Sequence, residues 1–286
     1  MAEAKAAERR ARRRPRVVPG FGITAAVTLF AVTLIVIIPL AAIAVTGAGL
    51  GVDGFWSVVT RPRTLSSFEV SFMTALVASL VNAVMGTLLA WVLVRYRFPG
   101  RRILDGLVEL PFALPTAVAG IALASLTTDQ GWVGSIFSAH GIHIAYTRAG
   151  ITIALVFVGI PFVVRAVQPV LEKLDPSFEE AADVMGASRS QTFRRVILPE
   201  IAPALLSGFG LALSRCLGEY GSVVFIAGNM PFKTEIAPLV IMGELQEFDY
   251  ASASAVALVM LAAALLILMA MGLAQVRNSR ILKGGE

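Results

Sequence analysis

Asp175-Pro176-Ser177-Phe178-Glu179-Glu180-Ala181-Ala182-Asp183-Val184-Met185-Gly186, running on to Val196-Ile197-Leu198-Pro199, is a polar insert between two long apolar segments. Asp175 reads as a helix N-cap with Pro176 at the first helical position. Phe178, Ala181, Ala182 and Met185 then fall on one face at i, i+3, i+4, i+7. Gly186 stops this helix. Ser188 with Gln191 three residues later reads as a capping box for a second one. The pattern predicts helix, sharp turn, helix, with small residues on a face offered to a partner.

The surroundings of the insert set the fold class. Of 286 residues, 57% are hydrophobic and 15% charged, with a mean hydropathy of +0.78. A soluble domain has roughly 45–50% apolar and about 25% charged residues, so the chain reads as an all-α integral membrane protein. One cysteine, Cys216, excludes an intramolecular disulfide.

Outward from the insert, uncharged runs mark six spans. The first lies near 22–48, too long for the h-region of a secretory signal. The second covers Val70 to Val94, after an external loop from Asp53 to Glu69. The third runs from Ile103 to Thr127, with Pro111 and Pro115 placed to kink or break it. The fourth covers 149–170, with Arg165 snorkelling near its end. The fifth runs from 201 to 228 and the sixth from 250 to 276. This divides the chain into a basic tail (1–20) expected to be disordered, one six-span domain (21–276) and a short tail (277–286).

Lys and Arg give the orientation. Seven lie in the N-tail, four in the turn after the second span, five from Arg165 through Arg195 and three in the C-tail; the opposite side holds only Arg61, Arg63, Arg148 and Lys233. Both termini and the insert are therefore expected in the cytoplasm. The net charge of +5 is explained by this topology and by contact with anionic lipid. No basic soluble domain exists to carry a nucleic-acid footprint.

The residues of the insert resemble the EAA loop of ABC-importer permeases. Glu180-Ala181-Ala182, Gly186 and Leu198-Pro199 match that pattern, with Val196 at its Ile position. The resemblance implies a coupling helix that docks into a cleft of an ATP-binding subunit. Two other readings of the insert are weaker. Glu179, Glu180 and Asp183 suit an anionic bilayer surface poorly. A DNA-reading helix-turn-helix could hardly reach a groove with both ends tied to spans.

Longer stretches narrow the family. Leu110 through Gly120, Arg95 through Arg101, Ile160 through Leu171, Leu217 through Asn229 and Leu245 through Tyr250 are similar to the T subunits of sulfate/thiosulfate permeases. The similarity spans about residues 64–276. It implies a bacterial inner-membrane importer subunit for sulfate or thiosulfate that is not an enzyme and holds no cofactor. Implied partners are ATP-binding subunits, a W-type second permease subunit and a periplasmic sulfate/thiosulfate-binding protein. The related molybdate/tungstate permeases, which pair with themselves, stand as the alternative.

Arg215 and Glu219, four residues apart inside the fifth span, are candidates for the translocation path, since an ionisable group at that depth is costly. They equally fit a structural ion pair. Thr116 and Asn229 are weaker polar candidates, and none of the four is implied by the resemblance. Gly228 through Thr234 faintly resembles a P-loop, but Phe232 stands where its second glycine belongs and the spacing is one residue short. His140 and His143 lack further ligands nearby, so no metal site is expected.

Overall fold

A computed structural model describes residues 21–283, leaving the basic tail 1–20 and residues 284–286 outside the described residues. The described residues are helical, with no strand among them. The chain forms two compact units, one up to Thr46 and one from Gly47 onward.

The first unit contains helix α1 (Phe21–Val32), a π turn (Thr33–Ile37) and most of α2 (Ile38–Ala48). These helical residues carry no charge, and a helix satisfies its backbone polar groups internally, as lipid requires. The π turn has a local cause. Pro39 lacks an N–H, and its ring would crowd the carbonyl four residues back. The wider turn, closed by Ile38 N–H donating to Thr33 O, inserts one extra residue just before that proline.

The second unit begins with α3 (Gly51–Val59), α4 (Pro62–Arg95), α5 (Arg101–Ala113), α6 (Thr116–Thr127), the short α7 (Gly134–Ser138) and α8 (Arg148–Lys173). The insert follows as α9 (Ser177–Val184) and α10 (Arg189–Thr192). A second π turn (Phe193–Ile197) leads into α11 (Leu198–Leu217). The short α12 (Val223–Ile226), α13 (Ala237–Gln246) and the long α14 (Tyr250–Lys283) complete the chain. Among the described residues five helices are long and apolar enough to cross a membrane, and α5 with α6, bent by 112° at the break between them, reaches that length and apolarity only as a pair.

The centre of this unit is the α4–α8 pair, with α11 laid against both. Small residues allow the close approach. A Cβ at Gly208 would sit 2.9 Å from Val163 Cα, so α8 and α11 meet backbone to backbone. One apolar cluster, around Leu93, Val164, Val167, Leu171 and Ile201, lies at the insert end. Another, around Val58, Ile151, Leu155, Val223 and Val240, lies toward the far end.

Several sequence expectations are corrected. The loop expected from Asp53 to Glu69 is mostly helix. Phe55, Val58 and Val59 turn α3 inward while Trp56 stays exposed. Pro62 then opens α4 eight residues before Val70, a position where its missing N–H costs nothing. Pro111 sits inside α5 without ending it. The third crossing breaks at Leu114, held extended (φ −83°, ψ 137°) because Pro115 follows. The fifth helix ends at Leu217 rather than near 228. The sixth extends past 276 as helix to Lys283, where a short tail was expected.

Candidate functional site

In the insert, Asp175 acts one residue outside the cap position, held by Pro176. Ser177 N–H donates to Asp175 Oδ1 at 2.9 Å, which holds this carboxyl below its usual range. The helix ends in a Schellman motif. Gly186 is left-handed at φ +77°, Gly186 N–H donates to Asp183 O at 2.9 Å, and Ala187 N–H donates to Ala182 O at 3.0 Å. The capping box forms, with Ser188 and Gln191 each accepting from the other's backbone N–H. Leu198 and Pro199 follow the second π turn, closed by Leu198 N–H donating to Phe193 O. As at Pro39, the wide turn lies immediately upstream of a proline, and α10 runs on through it into α11 as one continuous helix, Arg189–Leu217.

One of the four residues predicted to share a face is not free. Phe178, Val184 and Met185 are 58%, 89% and 81% exposed, and Glu180, Ala181 and Gly186 are exposed too. Ala182, however, is 4% exposed and faces the protein's own body. Ala182 is the one residue of this eight-residue helix that the fold buries. The face left free is Phe178, Ala181 and Met185, with Val184 beside it.

The path candidates separate into two groups. Arg215 lies in the last turn of α11 and Glu219 beyond the helix end, so they do not share a continuous mid-span face. They still pair, with Arg215 Nη1 2.5 Å from Glu219 Oε2. Glu219 is 2% exposed, and its Oε1 accepts from Ser222 N–H and Oγ–H, each at 2.9 Å. It therefore joins the end of α11 to the start of α12. Thr116, at the start of α6, lies directly against Gly221, and Gly120 lies against the Ser222 backbone. Arg215, Glu219 and Thr116 thus flank one turn, residues 218–222. Asn229 is elsewhere, exposed at φ +46° in the loop after α12.

Sequence reasoning missed the ties at the far end. Arg63 makes a two-pronged bond to Glu235, Nε to Oε2 at 2.8 Å and Nη2 to Oε1 at 2.6 Å, and Glu235 is 2% exposed. Arg148 reaches Glu69 at 3.1 Å and donates to Lys233 O at 3.0 Å, and Arg61 reaches Glu244 at 3.3 Å. Ala237 N–H donates to Ser71 Oγ. These bonds staple residues 233–244 to the ends of α4 and α8. The available signal was four acids, Glu235, Glu244, Glu247 and Asp249, in a segment facing Arg61 and Arg63.

At the insert end, Arg165 does not simply snorkel. It bonds Asp105 at 2.7 Å and Glu109 at 2.8 Å, tying α8 to α5. His143 Nδ1 lies 2.8 Å from Asp129 Oδ1, and His140 Nδ1 lies 2.9 Å from Ile136 O.

Residues 82–283 match the family described as binding-protein-dependent transport system inner membrane component. The chain is 49% identical to the sulfate transport system permease protein CysT of Salmonella typhimurium, over 94% of this chain and 97% of that one. It is 50% identical to the protein of the same name from Synechocystis, over 87% of each. A solved bacterial ABC transporter that imports the acidic polysaccharide alginate superposes with a TM-score of 0.74 at 17% identity, covering 90% of this chain and 96% of that one. The MetNI methionine ABC transporter gives 0.56 at 18% identity, covering 76% and 96%. These two likenesses speak for the fold.

Proposed function

Since this chain belongs to the binding-protein-dependent transport system inner membrane components, with the CysT sulfate permeases among its close relatives, we propose how its parts divide the work. It is a multi-pass membrane permease subunit of a sulfate ABC importer, a transport component and not an enzyme. Its relatives do not favour the molybdate alternative. In our reading thiosulfate shares the path, a W-type permease subunit completes it, and a periplasmic binding protein delivers the anion.

The insert faces the cytoplasm, as do both termini, and α9 docks into ATP-binding subunits. The observation that carries this reading is the exposed apolar face of Phe178, Ala181 and Met185 on a capped helix projecting from the membrane end. Glu180, Ala181 and Gly186 line that face, Ala182 anchors it, and Leu198-Pro199 returns the chain to the membrane. ATP favours one arrangement of the ATPase pair, which draws the docked helices together and shifts the permease population.

Arg215, Glu219 and Thr116 form the polar point of the path. Arg215 is already neutralised by Glu219, so an oxyanion meeting it gains little and leaves readily, which suits transit rather than storage. Asn229 is a separate contact at the outer mouth. The test is sulfate uptake in cells lacking their own sulfate permeases, given this subunit with its ATPase, second permease and binding protein. Growth on sulfate that resists excess molybdate is expected. Uptake abolished by molybdate, without growth on sulfate, would reject the reading.

A further inference from the structure

The side-chain ion pair holding α9 to the rest of the molecule joins Glu179 to Arg95, in the last turn of α4. Arg95 is also stacked. Its guanidinium carbon lies 5.4 Å from the centre of the Trp91 ring, within cation–π range. Trp91 in turn meets the Phe193 ring edge-on at 5.8 Å, and Phe193 opens the π turn that leads to α11. Arg95 therefore sits where three segments converge: the end of α4, the insert helix and the joint before α11.

The space around this node makes the tie consequential. A cleft of about 270 Å³, lined by Glu179 and Asp183 of α9 and by Trp91, Tyr96, Arg189 and Thr192 among others, lies beside this node and leaves α9 packed on one side only, through Ala182. Along the chain, α9 connects forward only through the left-handed Gly186 turn. With one small buried side chain, Ala182, as its other lateral hold, α9 would pass little of an imposed displacement on past that turn without a further brace from the side. The Arg95–Glu179 pair supplies that brace, with Trp91 limiting where the guanidinium can go.

We propose that Arg95 is a positioning residue that braces α9 against α4, so that movement imposed on the insert reaches the second span as well as α11. The proposal rests on the reading that α9 docks to the ATPases, and it adds a route that the docking face does not contain. Arginine is required because a lysine ammonium cannot hold a planar stack on Trp91 and a directed bond to Glu179 together.

The test uses the complete transporter in proteoliposomes with its binding protein. Arg95→Gln and Glu179→Gln should retain co-purified ATPase subunits and ATP hydrolysis. Each should move about tenfold less sulfate per ATP hydrolysed, the scale of a typical coupling free energy. Arg95→Lys should fall with them. In the Arg95→Cys/Glu179→Cys double variant, joining the two thiols with a short bis-maleimide should raise sulfate moved per ATP above that of the unlinked protein. Wild-type coupling in Arg95→Gln would overturn the proposal. So would a linked double variant no better than the unlinked one. Loss of co-purified ATPase in Glu179→Gln would also overturn it, because Glu179 would then belong to the docking surface itself.

Discussion

The insert around α9 and the segment from Gly218 to Asp249 are the two long excursions between spans in the second half of the chain, and they are held in opposite ways. The far segment is pinned by a two-pronged Arg63 bond to the buried Glu235, one further ion pair from Arg61 to Glu244, a bond from Arg148 to Lys233 O and a backbone bond to Ser71. Helix α9 of the insert is held by one buried alanine, one ion pair over an aromatic ring and a glycine turn. The same chain thus builds a fixed plate at one end and a braced lever at the other. Buried, paired charge belongs where geometry must not change, and exposed apolar surface belongs where a partner is to be received.

The contrast is broken most severely at the plate. Arg63→Ala leaves Glu235 buried without its counter-charge, a defect of about 3 kcal/mol even though Arg63 itself is half exposed. Thermal unfolding of the purified complex should show a clear fall, and Arg63→Lys should recover part of it. Unchanged unfolding would mean the plate does not depend on that pair.

A smaller effect is expected at the lever. Nothing within 4 Å would clash with a side chain at Gly186, so Gly186→Leu suffers only the left-handed backbone cost of about 1–2 kcal/mol. Membrane insertion should survive while sulfate uptake per ATP hydrolysed falls. Wild-type uptake would remove this turn from the coupling path.

The smallest effect separates two acids on the plate by pH. Burial outweighs Arg61 and holds Glu244 above its ordinary 4.5. The folded form binds that proton more tightly, so its contribution is full below 4.5 and is lost as pH rises through the elevated value. Asp249 is held below its ordinary 3.8 by bonds from Ser252. Its contribution is present above 3.8 and is lost as pH falls through the depressed value. Glu244→Gln should flatten the stability profile just above 4.5, and Asp249→Asn should flatten it below 3.8, as read from melting temperatures at a series of pH values.

Periodicity and the charge-free runs made the spans legible, and the stop of α9 and the cap of α10 could be read from Gly186, Ser188 and Gln191, while Asp175 came out one residue away from the cap expected of it. What could not be read was long-range. Nothing local tells Ala182 apart from Ala181, yet one is buried and the other is exposed. Arg215 and Glu219 looked like a helical i,i+4 pair. Gly218 ends the helix between them, and Glu219 serves the next segment instead. The Arg63–Glu235 bond joins residues 172 positions apart, a pairing no spacing rule reaches.

The committed arginines of the far end have a kinetic consequence. Arg61, Arg63 and Arg148 each already face a carboxylate. The field of each pair falls away over a few ångströms, so these three arginines add little long-range attraction for an anion. Diffusive capture gains little speed or ionic-strength dependence from them. In the proposed reading, with the anion entering at this end, capture from dilute solution falls to the delivering binding protein, and the permease acts as a turnstile rather than a funnel.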